Sequence, residues 1–166
     1  LAALSPLLAQ QFYKTASAAW QLLGRDGFHA WLDLGLGLAS RPQMPREAAL
    51  AYFSVRPATI GKLGPEGMER WSAAGAALAA DSRKLAATFF TTTAPLLDRV
   101  SQETLEAWSD EGRALQKVAG WRGEFLAQAY FASAPSSLSV LGKSDFGPWA
   151  RLGARLQPAL REQQFF

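Results

Sequence analysis

The sequence predicts an all-α fold, a right-handed solenoid of about four helical-hairpin repeats near 40 residues long, each with a short extra helical turn. Three observations carry this. First, a tryptophan, a glycine four residues on and a leucine three further on recur as Trp31/Gly35/Leu38, Trp71/Gly75/Leu78, Trp108/Gly112/Leu115 and Trp149/Gly153/Leu156, with the tryptophans 40, 37 and 41 residues apart. Second, an alanine four residues ahead of a phenylalanine follows each of the first three motifs, at Ala49/Phe53, Ala86/Phe90 and Ala127/Phe131, and Pro57, Pro95 and Pro135 come just after. Third, no segment alternates branched apolar and polar residues with the period of two that a strand requires.

Each repeat follows in order from these signals. Pro65 beside Glu66, Ser101 before Glu103, and Ser144 before Asp145 mark starts of first helices. Along those helices Trp, Gly and Leu at i, i+4 and i+7 share one face. Glycine in a helix costs about 1 kcal/mol relative to alanine. Its return at one place therefore predicts the close approach of a neighbouring helix, with the indole filling the space one turn away. Second helices end in the Ala/Phe pairs, where small meets large. Ile60 with Leu63, Leu97 with Val100, and Leu138 with Leu141 are spaced for one further turn before the next repeat. The boundaries are 25–63, 64–100 and 101–141 for whole repeats, with partial ones at 1–24 and 142–166, all within a single domain. The chain opens at Leu1 without a methionine, so the expectation is a piece of a longer protein.

Composition agrees with a folded domain: 49% of the 166 residues are hydrophobic and 19% charged. The richest apolar run, Trp71 to Ala80, is too short to span a bilayer, so no transmembrane segment is expected. Absence of cysteine excludes disulfides and thiolate chemistry. The expected compartment is the cytoplasm, with the periplasm left open.

Little in the chain is suited to catalysis. The single His29 lies between Asp26 and Asp33, an incomplete metal set, and Asp26 reads as a helix-start residue with Asp33 exposed. Glu103, Glu106 and Asp110 follow helical spacing and make a solvated acidic face. His29 is the sole histidine, so serines of the other repeats have no base at hand. The expectation is a non-catalytic chain with no metal and no cofactor. Net charge is +3. The basic residues Arg83, Lys84, Arg113, Lys117, Arg122, Arg151 and Arg155 fall at unequal places in their repeats, which argues against a phosphate-tracking stripe.

The order of Trp, Gly, a large residue, Ala, Phe and Pro resembles the tetratricopeptide repeat, with HEAT-like solenoids as a structural neighbour. These repeats depart from it in their extra residues between proline and the next tryptophan, and in leucine at the third position. A narrower resemblance joins the stretches Trp31–Ala39 and Ala49–Phe53 to repeat segments preceding the von Willebrand A domain in bacterial activators that work with MoxR-type ATPases, including nitric oxide reductase and Rubisco activation factors. It implies an adaptor that positions a client or an ATPase ring. In tetratricopeptide-like solenoids the first helices line the concave side. That implies a partner surface of His29, Leu32 and Leu36, then Glu69, Ser72 and Ala76, then Glu106, Ser109, Arg113, Gln116 and Lys117. Its occupant would be a peptide, a helix or a neighbouring subunit. The leading expectation is a protein-binding scaffold. A structural segment of a larger assembly and a nucleic-acid-binding repeat are the alternatives.

Overall fold

The computed structural model describes residues 5–118 and 121–151. Among these the regular elements are helices and no strand occurs. They are α1 (Pro6–Ser40), α2 (Arg46–Ser54), α3 (Pro57–Asp81), α4 (Arg83–Thr93), a 3-10 turn (Ala94–Leu96), α5 (Gln102–Val118), α6 (Trp121–Ala132) and α7 (Ala134–Ala150).

Three of these are two helices joined without a loop. α1, α3 and α7 each break at one glycine: Gly24 (φ 66°), Gly64 (φ 65°) and Gly142 (φ 71°). Only glycine enters this left-handed region without steric cost, and one such residue redirects the chain. The short segments before Gly64 and Gly142 occupy 57–63 and 134–141, about two turns rather than one. Proline explains where the first of them begins: Arg56, just ahead of Pro57, is extended at ψ 139°, as the pre-proline restriction favours, whereas Ser133 ahead of α7 stays in the helical region at φ −78°, ψ −13°. Ser17 stands in the register of Pro57, and there α1 runs through from its second-helix part to Gly24.

The joint at Ser101 is built differently. Ala94 stays helical at φ −48°, ψ −46° in front of Pro95, so α4 passes into the 3-10 turn. Ser101 then starts α5 as a serine cap: the Thr104 amide donates to its Oγ at 3.2 Å and the Leu105 amide to its carbonyl at 3.0 Å. Between α3 and α4, Ser82 is the whole loop, closing one helix with its own N–H and capping the next through Oγ, which accepts from the Leu85 amide at 3.1 Å.

Among the α-helices, every substantial packing pair joins elements one or two apart in the chain. Hairpins form from α1 with α2, α3 with α4, and α5 with α6. First helices lie side by side (α1, α3, α5), as do second helices (α2, α4, α6). The early part of α1 belongs with the second helices: Thr15 Oγ1 donates to the Phe53 carbonyl at 3.1 Å, and Phe12 meets Phe53 edge to face.

The core is a chain of rings. Trp31, Trp71 and Trp108 are wholly buried, each edge-on to the phenylalanine of its own hairpin, Phe53, Phe90 and Phe131, with centroids 5.2, 5.1 and 5.4 Å apart. The aromatic residue preceding each phenylalanine reaches the following tryptophan. Tyr52 stacks on Trp71 at 6.2 Å, Phe89 meets Trp108 at 6.3 Å, and Tyr130 stacks on Trp149 at 5.4 Å. Phe12, in the register of Tyr52, stacks on Trp31 at 5.9 Å. Contact thus passes from hairpin to hairpin through aromatic rings, which add to area burial when edge-to-face or offset.

The repeated glycine has a different origin from the one expected. At Gly35, Gly75 and Gly112 an added Cβ would lie closer than 3.0 Å to the Phe53, Phe90 or Phe131 ring. The space is taken by the ring of the paired second helix, not by a helix backbone. Leu38, Leu78 and Leu115 are buried beside it. Trp149 is half-buried against Phe146, while Gly153 and Leu156 of the fourth motif lie outside the described residues.

Candidate functional site

Side-by-side first helices leave furrows between them. One, of about 330 Å³, lies between Ala30, Asp33, Leu34 and Gly37 of α1 and Pro65 and Glu69 of α3. The other, of about 300 Å³, lies between Arg70, Ala73, Ala74 and Ala77 of α3 and Glu106, Ser109 and Asp110 of α5. The residues two past each tryptophan, Asp33, Ala73 and Asp110, are exposed along these furrows.

The partner residues inferred from sequence distribute themselves unevenly over this surface. Glu106 and Ser109 share the second furrow. Ser109 is only 2% exposed and its hydroxyl donates to the Ala74 carbonyl at 3.3 Å, so it belongs to the seam between α3 and α5. Ser72, one residue past Trp71, is equally buried. Arg113 Nε donates to Asp81 at 2.9 Å and Gln116 Nε2 to the Asp81 carbonyl at 3.5 Å, binding α5 to the end of α3. Leu32 and Leu36 are half-buried and Lys117 is exposed. His29 is exposed near Trp20 and Phe28, apart from the α3–α5 group. The missed residues are the alanines Ala30, Ala73 and Ala77, whose small side chains open the furrows.

Ion pairs hold these helices across units. Arg70 grips Glu106 with two nitrogens at 2.8 and 3.0 Å, Arg56 meets Asp98 at 2.7 Å, and Arg113 meets Asp81. The Arg70 guanidinium, aided by the Gln102 amide, holds the Glu106 carboxyl below its usual range. The pair is exposed, so it fixes register more than it adds stability. Inside, burial pushes the phenols of Tyr52 and Tyr130 upward, Glu111 adding to the effect at Tyr130. Both stay neutral donors: Tyr52 to the Trp31 carbonyl at 3.0 Å, Tyr130 to that of Ala150. The Trp71 indole donates to Thr93 Oγ1 at 2.7 Å. Trp31 and Trp108 have no partner for their indole N–H among the described residues.

A further cleft, of about 510 Å³, opens on the second-helix side between Leu7, Leu50, Ala51 and Pro95, with Glu47 and Arg56 at its edge. Among the described residues no three His, Asp or Glu side chains group as metal ligands, and no helix is long and apolar enough to cross a membrane. Comparison with protein-family models, with curated proteins and with solved structures finds no match for this chain.

Proposed function

We propose that the chain is a non-catalytic helical-repeat scaffold, a tetratricopeptide-like or HEAT-like solenoid that holds a protein partner, and that it serves as an adaptor segment of an ATPase-linked activator. The observation that carries this reading is the recurrence of one packing unit: a tryptophan and a glycine receive the phenylalanine of the paired helix, and an aromatic neighbour of that phenylalanine reaches the next tryptophan. A chain assembled from neighbour-to-neighbour contacts gains surface as it gains length, and such architectures supply extended binding faces. Furrows lined with alanine, one of them edged by the Arg70–Glu106 pair, suit a helix or peptide laid along the first helices.

Exposed Leu7, Tyr13, Phe125 and Val140, at 52, 67, 72 and 84%, favour a second reading, a structural segment that assembles with other chains. Small-angle scattering over a concentration series separates the two. A single elongated particle at every concentration is the expected result. Concentration-dependent growth into large particles transfers the assignment to the structural role, and a compact spherical profile defeats the solenoid.

A further inference from the structure

Where the loop 41–45 returns to α2, a cleft of about 400 Å³ is edged by Arg41, Arg46 and Arg83 and floored by Leu8, Met44 and Ala49. Among the described residues no carboxylate lines it. Elsewhere Arg56, Arg70 and Arg113 are each spent on an acid of a neighbouring element, but no ion pair forms at these three among the described residues. Among the described residues Arg83 donates only to the Met44 carbonyl, at 3.3 Å. The placement is unfavourable for the isolated chain. Arg83 opens α4, at the end where the backbone dipole repels cations, and the first turn of α4 contains no acid to offset it, whereas Arg46 opens α2 beside Glu47, which lines the neighbouring cleft of Leu7 and Leu50 rather than this one. Like charges gathered around a recess that no described carboxylate enters are complementary to an anion.

The floor narrows the choice of anion. A phosphate would meet the arginines and gain nothing from Leu8, Met44 and Ala49, whereas a peptide with an apolar side chain between acidic ones would use both. Pro42 and Pro45 fix the backbone of the loop, so the recess is formed before a ligand arrives.

We propose that this cleft is the docking site for an acidic peptide segment of a partner protein, an apolar residue seated on Leu8, Met44 and Ala49 and flanking carboxylates held by Arg41, Arg46 and Arg83. This rests on the scaffold reading and gives it a location and a partner chemistry.

Fluorescence anisotropy of the whole chain with an end-blocked, dye-labelled peptide, a leucine flanked on each side by two acidic residues, tests it. Binding should weaken with salt and fall by at least about tenfold in Arg46→Glu/Arg83→Glu. It should fall less in Arg46→Gln/Arg83→Gln, and remain unchanged in Arg99→Glu. Acids at helix starts favour the fold, so the reversed variant should melt no lower than the parent. Three results would overturn the proposal: full binding by both double variants, equal binding of a peptide with amides for acids, or equal binding when glycine replaces the leucine. Complete competition by millimolar inorganic phosphate together with that last result assigns the cleft to small anions instead. None of these alters the scattering profile, so the scaffold reading stands or falls separately.

Discussion

At Gly75 an added methyl group would be driven into the Phe90 ring, while at Gly64 it would meet nothing within 4 Å and sit instead on a backbone at φ 65°. The same pair of situations recurs. Gly35 and Gly112 lie under rings, and Gly24 and Gly142 lie at joints in open space. Inside the hairpin glycine is present for its missing volume, and between hairpins for its free dihedral. The two uses are separable by experiment, because one responds to what stands opposite and the other does not.

The deepest test removes the indole that the ring packs on. Trp71→Ala, at a wholly buried position whose N–H is bonded to Thr93, should cost about 3–5 kcal/mol in urea unfolding. A loss near zero would mean that the tryptophan line is not the core. Gly75→Ala should cost about 1–3 kcal/mol by overpacking, and much of that should return when Phe90→Leu is added. Strict additivity of the two changes would break the packing explanation. Gly64→Ala should cost about 1–2 kcal/mol regardless of its neighbours, since the penalty is conformational. Ser101→Gly, at the joint made without a left-handed residue, should change stability by only a few tenths of a kcal/mol. If Ser101→Gly were the more damaging of those two, the division between joints would fail.

The smallest effect belongs to the seam. The carboxyl of Glu106 is lowered in the folded chain by Arg70, so its contribution is complete above the unfolded carboxylate range, near about 4.3, and is lost as pH falls through the folded value. The thermal midpoint of Glu106→Gln should therefore be less sensitive to acidification below that range than the parent's. Equal sensitivity would show that the exposed pair contributes nothing measurable.

Helical spacing made part of this legible. Trp, Gly and Leu at i, i+4 and i+7 define a face whatever surrounds it, and Trp31, Trp71 and Trp108 with their leucines do face inward. Which atoms fill the notch at glycine was not legible, because the register of the second helix depends on the hairpin loop, five residues at 41–45 but only Ser82 after α3. The partner surface suffered from a related ambiguity. Spacing puts Leu32, Ser72 and Ser109 at one angle beside the core, without saying that the preceding first helix closes over Ser109. The serines were a usable signal, since small polar residues where neighbouring rows have larger ones mark a tight seam. Arg41, Arg46 and Arg83 come from separate stretches, and only the fold brings them to one recess.

From Phe53 to Gly64, from Phe90 to Ser101 and from Phe131 to Gly142 the interval is constant, and so is that from each of these joints to the next tryptophan. Loop length inside a hairpin varies freely; this interval does not. Deleting one residue within it would turn everything downstream by about 100° about the helix axis and present the wrong side to the ring waiting there. Excision or duplication of a whole block would preserve every such meeting, so the packing should tolerate the loss or gain of a block better than a small insertion at a joint.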